Sequence, residues 1–233
     1  VTGVYHIRLA QNFPYTLQVV AHSNYQPTIA TLAPLTGDAT KNFALVIDVA
    51  CDAPGYGVPS FISENFNAGV PPSGWTITNG ITGSPVVWNT NAYWQAGNYT
   101  GGTGPAADAD SYQANSLLGY SGPYDTSLIT PKIPVSNLGV TPVLKFLLNY
   151  HEDALTGALD VGINVDGTGW TLLAHITTAQ GKLYGLPGAG EQIDLEPYIS
   201  SGAKEIRIRW HYYDLPSGLD WYAQVDDFTI GSC

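Results

Sequence analysis

Two adjacent carboxylates, Asp226 and Asp227, interrupt an otherwise apolar and aromatic run, Trp221-Tyr222-Ala223-Gln224-Val225-Asp226-Asp227-Phe228-Thr229-Ile230. An ionised acid in a packed strand is costly unless positive charge or hydrogen-bond donors meet it. A bound cation would meet it, and calcium takes hard oxygen ligands from carboxylates, amides and backbone carbonyls. The alternative is an aspartate that caps a bulge by accepting backbone N–H bonds. Period-two alternation groups Asp226 with Phe228 and Ile230, and Asp227 with Val225. If Phe228 and Ile230 face a core, Asp226 is the inward acid.

Catalytic constellations are sparse. His151-Glu152-Asp153 and His211 carry acid–base potential, while His6, His22 and His175 are scattered in strand-like or turn contexts. A lone histidine in a β protein is ordinarily a packed or surface residue. No His-Glu-x-x-His run, Gly-x-Ser-x-Gly elbow or phosphate loop occurs, which removes the common metalloprotease, serine hydrolase and nucleotidase signatures. Asp160, Asp166 and Asp220 could share a groove as paired glycosidase carboxylates, but nothing in their spacing supports it. The expectation is a chain that is not an enzyme.

Aromatic residues are abundant where binding platforms form. Trp88, Tyr93, Trp94, Tyr99, Tyr112, Tyr120 and Tyr124 crowd one region; Trp210, Tyr212, Tyr213, Trp221 and Tyr222 flank Leu215-Pro216-Ser217-Gly218. Most such rings fill cores. A subset, Trp94, Tyr99 and Tyr213, is the candidate ligand patch, since exposed rings suit stacking on sugars or docking on proteins. Asn98-Tyr99-Thr100 is a glycosylation sequon.

The elements that must position these groups read as strands. The 233 residues hold 26 Gly, 16 Pro and 15 Tyr, with only 8 Lys plus Arg, a composition of short strands and tight turns. Strand candidates are Tyr5–Leu9, Tyr15–Val20, Thr28–Leu32 and Phe43–Ile47, then Leu144–Tyr150, Ala158–Val165, Thr171–His175, Ile206–Tyr212 and Gln224–Ile230. Cys51 to Ser60 reads as a linker, and Asp166-Gly167-Thr168-Gly169 as a hairpin turn. Trp88 to Gly122 reads as one long loop, a length that implies function or pinning. The best helical stretch is Leu195 to Ser200, about one turn.

No apolar run is long enough to span a bilayer. The net charge of −11 leaves no basic stripe for nucleic acid. The opening residues lack a start Met and a signal-peptide pattern, so any leader is expected to be gone already. The two cysteines, Cys51 and Cys233, fit one disulfide in an oxidising compartment, against the alternative of two buried thiols. Such a bridge would hold the last strand, and Asp226 with it, in register.

Two resemblances add to this reading. Gly3-Val4-Tyr5, Tyr15-Thr16-Leu17-Gln18-Val19, Asn24-Tyr25-Gln26-Pro27 and Asn42-Phe43-Ala44-Leu45 resemble the later part of a carboxypeptidase regulatory-like domain, a small prealbumin-like sandwich. The opening strands of that family are missing, and Asn24 stands where it usually has Gly. Phe61-Ile62-Ser63-Glu64-Asn65-Phe66 and Pro72-Ser73-Gly74-Trp75 resemble the opening of cleaved-adhesin and choice-of-anchor jelly rolls, relatives of MAM domains. Ala107-Asp108-Ala109-Asp110-Ser111, Asp125 to Pro131, Leu144-Lys145-Phe146, Leu159 to Trp170 and Val225-Asp226-Asp227-Phe228 resemble its later motifs in order, over residues 61–233.

The second resemblance implies Glu64, Asp108, Asp110 and Asp226 as ligands of a structural calcium ion. An Asp/Gly-rich repeat after Trp75 is absent, so a ligand is missing or comes from backbone carbonyls. The combined expectation is all-β: a small prealbumin/Ig-like β sandwich over 1–49, a linker over 50–60, then a jelly-roll sandwich over 61–233. The implied role is a non-catalytic, calcium-stabilised accessory region for adhesion or substrate docking. It would belong to a secreted or cell-surface bacterial protein, C-terminal to a peptidase or within an adhesin; the alternative is a carbohydrate-binding module. The implied partner is a host or substrate protein or a glycan surface, met by a monomer.

Overall fold

A computed structural model describes residues 6–19, 28–43, 60–138, 142–153, 156–216 and 220–232. The chain divides into two compact units at Val58 and Pro59. In the first, β1 (Tyr15–Val19) pairs antiparallel with β2 (Thr28–Leu32), Leu17 opposite Ala30. Residues 6–10 lie outside any strand, contrary to the expected strand at 5–9. Nearly all of the expected strand at 43–47 and of the linker lies outside the described residues, as do Cys51 and Cys233.

The second unit runs β3 (Ser60–Glu64), β4 (Thr76–Asn79), β5 (Asn89–Thr90), β6 (Ala107–Asp110), α1 (Ser111–Leu118), β7 (Tyr124–Ile129) and β8 (Ile133–Pro134). It continues through β9 (Pro142–His151), β10 (Ala158–Val165), β11 (Trp170–Ile176), β12 (Ala189–Asp194), β13 (Glu205–Asp214) and β14 (Tyr222–Ser232). One sheet has the order β11-β10-β13-β7-β4, with β8 also on β13; the other is β12-β9-β14-β6-β5, with β3 also on β14. All described pairings are antiparallel, and the chain changes sheet at eight of the eleven steps from β3 to β14. That is a jelly-roll sandwich. The fold is all-β in character, and among the described residues no helix is long and apolar enough to cross a membrane.

The core forms because strand alternation sends one set of side chains between the sheets. On β13, Ile206, Ile208, Trp210, Tyr212 and Asp214 point inward and are fully buried, while Glu205, Arg207, Arg209, His211 and Tyr213 point out. Leu144, Phe146, Leu148, Val225, Phe228 and Ile230 meet them from the second sheet. Trp75 binds the layers together: it stacks on Trp210 at 6.0 Å and meets Phe228 and Phe66 edge-on, each at 5.4 Å. Each such aromatic burial contributes about 2–3 kcal/mol.

The region read as one long loop contains β5, β6 and α1. Helix α1 is capped at both ends: the Asp110 carboxylate accepts from the Gln113 N–H at 2.7 Å, and Gly119 closes it in the left-handed region at φ +69°. Ser111 and Ala114 are its buried residues, so the helix lacks the apolar stripe that makes a helix legible. Leu195 to Ser200 forms a single 3₁₀ turn at Glu196–Tyr198.

Candidate functional site

The second sheet's outer face is polar and buried. On β14, Tyr222, Gln224 and Asp226 alternate with the core residues Ala223 and Val225. Beside them stand Asp108 and Asp110 of β6 and Asn149 of β9, with Gln224 opposite both Asp108 and Asn149. Period-two alternation fails at the acid pair. The β14–β9 register slips between Asp226 and Thr229, and Asp227 sits at φ +44°. This bulge returns Phe228 and Ile230 to the core and leaves Asp226 on the opposite face. Asp226 is therefore buried as expected, but beneath a loop rather than in the apolar core; Asp227 is exposed.

The loop over Asp226 is built around Asn98. Its amide donates to Asp226 Oδ2 at 2.7 Å and to the Gly104 carbonyl at 2.9 Å. Its own oxygen accepts from Thr100 N and Oγ1 at 3.0 and 2.7 Å. Gln224 accepts from Tyr99 N at 2.8 Å and donates to the Gly97 carbonyl and to Asp108 Oδ2. Gly102 lies so close that a Cβ there would stand 2.2 Å from Asp226 Oδ2. A second strap crosses alongside: Asn149 donates to the Tyr99 and Lys182 carbonyls, and Tyr222 accepts from Tyr184 N at 2.9 Å. Because the Asn98 amide is turned inward on Asp226, the folded chain does not present it as a glycosylation acceptor.

Burial raises these acids. Asp226 is pushed up to about 6 and Asp110 to about 7. Asp108 rises through burial and then through the neighbouring Asp110 charge. Among the described residues, Asp108 Oδ1 and Asp110 Oδ2 find no hydrogen-bond partner.

Glu64, half-buried on β3, accepts from Phe66 N at 2.8 Å and stands opposite Phe228. The four expected ligands are not drawn into one group: among the described residues, no three or more His, Cys, Asp or Glu side chains gather closely enough to hold a metal. The oxygens near Asp226 Oδ2 are instead the Gly102 and Gly104 carbonyls, 3.5 and 2.9 Å from Asn98 Nδ2, and the Thr100 hydroxyl. Their hard-oxygen chemistry suits calcium, with one carboxylate and the Asn98 amide nitrogen facing them.

The first sheet's outer face carries a dense set of planar side chains that are partly exposed among the described residues. One register row crosses five strands: Thr78, Ser127, His211, Asp160 and His175. His211 Nε2 meets Asp125 Oδ1 at 2.7 Å, and His175 Nδ1 meets Asp160 Oδ1 at 2.5 Å. Tyr213 donates to Asp160 Oδ2 at 3.3 Å and stacks on His211 at 4.5 Å. Burial and the Asp160 charge raise the Tyr213 phenol. Further along, the Arg209 guanidinium lies 4.6 Å over Trp170. Gly162 leaves a notch between them, where a Cβ would stand 3.6 Å from the indole and 3.9 Å from Arg209 Nε. Among the described residues, the hydrogen-bond partners of these two histidines are carboxylates and not Ser or Thr hydroxyls. His151, at the end of β9, is mostly buried, and burial lowers its pKa.

The three rings expected to form one ligand patch are separated. Trp94 is 1% exposed and donates its indole N–H to the Asp108 carbonyl, so it offers no platform. Tyr99 is packed between Tyr184 and Tyr222, each 5.7 Å away, over the second sheet. Tyr213 alone stands on the first sheet's outer face. The alternation that marks this face, Arg207, Arg209, His211 and Tyr213 at every second position, is present in the sequence. Trp170, Asp125 and Asp160 join it through cross-strand register, which the sequence does not display.

No protein-family model and no curated protein matches the chain. Among solved structures it is similar to a cleaved adhesin domain of Lys-gingipain from Porphyromonas gingivalis, 17% identical over 74% of this chain and 98% of that one, with a TM-score of 0.48. A second Lys-gingipain cleaved adhesin domain is 18% identical over 74% and 98%, TM-score 0.48. A carbohydrate-binding module described by specific mannan recognition is 15% identical over 74% and 96%, TM-score 0.41.

Proposed function

We propose that residues 59–232 form a non-catalytic binding module that presents the outer face of the first sheet to its ligand. The contrast between the two outer faces carries this reading. The second sheet's polar face is sealed by residues 97–104 and 181–188, whereas the first sheet's face keeps its histidines, acids, arginines and Tyr213 partly exposed. Planar polar groups fixed by one another lose little freedom when a ligand arrives. The role that fits is adhesion or substrate docking within a secreted or cell-surface bacterial protein, as the cleaved-adhesin resemblance implies; attachment behind a peptidase belongs to the same proposal. Screening the purified chain against glycans and cell-surface proteins, beside Tyr213→Ala and His211→Ala, tests it. Binding lost in both variants with unchanged melting supports the reading; binding indifferent to both refutes it.

Calcium is proposed as a stabiliser of the loop over Asp226. Asp226 and the Thr100, Gly102 and Gly104 oxygens would hold it, with the Asn98 amide turned to offer its oxygen. Calcium supplies positive charge at a buried carboxylate there. The predicted signature is a melting temperature raised by calcium in the wild type and unmoved in Asp226→Asn. A Cys51–Cys233 disulfide is proposed alongside, to be read by mass under non-reducing conditions. A monomer is the proposed state in solution.

A further inference from the structure

Of the three arginines in the chain, Arg207 and Arg209 stand two residues apart on the outer face of β13. Both are half-buried and, among the described residues, neither comes within salt-bridge distance of an acid, although Asp160 and Asp125 attract Arg209 from further off. Arg209 Nε is buried without a hydrogen-bond partner, at the wall of the notch that Gly162 opens beside Trp170. The carboxylates on the same face are already engaged: Glu205 by Lys132, Asp160 by His175 and Tyr213, Asp125 by His211. A half-desolvated guanidinium with a buried free donor lacks an acceptor, and a planar anion is the partner whose geometry matches its fork.

Resting on the binding face assigned above, we propose that its ligand is a carboxylate-bearing glycan lying along β13. A sugar carboxylate docks at Arg207 and Arg209, and neighbouring hydroxyls reach the Asp125–His211 and Asp160–Tyr213 end. The charge pattern selects this ligand class. Arg207 and Arg209 stand toward one end of the face, where the Glu205 charge is met by Lys132, and Asp125 and Asp160 toward the other. A uniformly charged polyanion therefore meets repulsion at Asp125 and Asp160 and from the net charge of −11. A chain with carboxylates spaced among neutral sugars meets neither. The sugars lie beside the Trp170 and Tyr213 rings, each of which Arg209 or His211 already covers on one face. An acidic peptide is the poorer match, because among the described residues Leu172 is the one large aliphatic side chain well exposed on the strands of this face.

The test compares a uronic-acid-containing oligosaccharide with its carboxyl-reduced form by calorimetry, using wild-type protein and Arg207→Gln, Arg209→Gln and Tyr213→Ala variants. The proposal expects binding of the acidic form to exceed the reduced form about tenfold, and each arginine change to erase that difference. Unchanged melting temperatures keep the loss from being one of folding. Equal binding of both forms, abolished by Tyr213→Ala and untouched by the arginine changes, overturns this proposal while leaving the binding face intact. Binding of an acidic peptide with no glycan binding also overturns it. Ligand binding insensitive to all three substitutions overturns this proposal and the binding face together.

Discussion

Asn98 and Asp226 are 128 residues apart in sequence and share a 2.7 Å hydrogen bond beneath the loop that seals the second sheet. Replacing Asn98 with Ala removes the strongest donor to a buried acid, with Thr100 Oγ1 left at 3.4 Å and Asp227 N at 2.8 Å. The expected loss is about 1–3 kcal/mol. It should be larger at pH 8, where Asp226 is ionised, than at pH 5, where a group held up to about 6 is mostly neutral. Urea unfolding at the two pH values measures the difference; equal losses contradict the bond's charged character.

Stability should decline as pH rises from acid to neutral in calcium-free buffer. Asp226 and Asp220 are held up to about 6 and Asp110 to about 7, against an unfolded value of about 3.9. The folded chain therefore binds more protons than the unfolded one between about pH 4 and 7, and stability falls through that window. Asp166, held low by the Lys204 and Glu205 N–H groups, acts in the opposite sense at more acid pH. Melting scans in EDTA between about pH 5 and 7.5 should show the fall, and calcium should flatten it if the ion sits on Asp226.

Gly102→Ala places a methyl group 2.2 Å from Asp226 Oδ2. The loop must lift, at an expected cost of about 1–3 kcal/mol. Hydrogen exchange should then accelerate at Tyr99 and Thr100, whose N–H groups are held by Gln224 and Asn98. Unchanged exchange would mean the loop does not press on Asp226.

Phe228→Ala removes a fully buried ring that Trp75 and Trp210 both meet edge-on at 5.4 Å. The expected cost is about 3–5 kcal/mol, read as a lower denaturation midpoint with unchanged slope. A loss below 1 kcal/mol would argue against the bulge placing Phe228 in the core.

The strands of the jelly roll were legible wherever alternation was strong. Leu144–Tyr150, Ala158–Val165 and Ile206–Tyr212 lie within β9, β10 and β13, and Asp166 to Gly169 turns the chain between β10 and β11. Two features escaped. Helix α1 buries little, so its Asp110 cap and closing Gly119 were its only marks. The bulge at Asp227 inverts the parity of everything beyond it, and a period-two reading has no means of detecting one inserted residue. The binding face was half legible: the outward row of β13 is visible in sequence, while Trp170, Asp125 and Asp160 reach it through pairing register.

Amide chemical-shift mapping during titration with a bound glycan tests the central claim most directly. Perturbations should concentrate in Ala158–Val165, Trp170–Ile176 and Glu205–Asp214, with Ala107–Asp110 and residues 97–104 and 181–188 unmoved. Perturbations centred on the 97–104 and 181–188 segments, with β13 silent, would place the ligand on the sealed face and contradict the assignment.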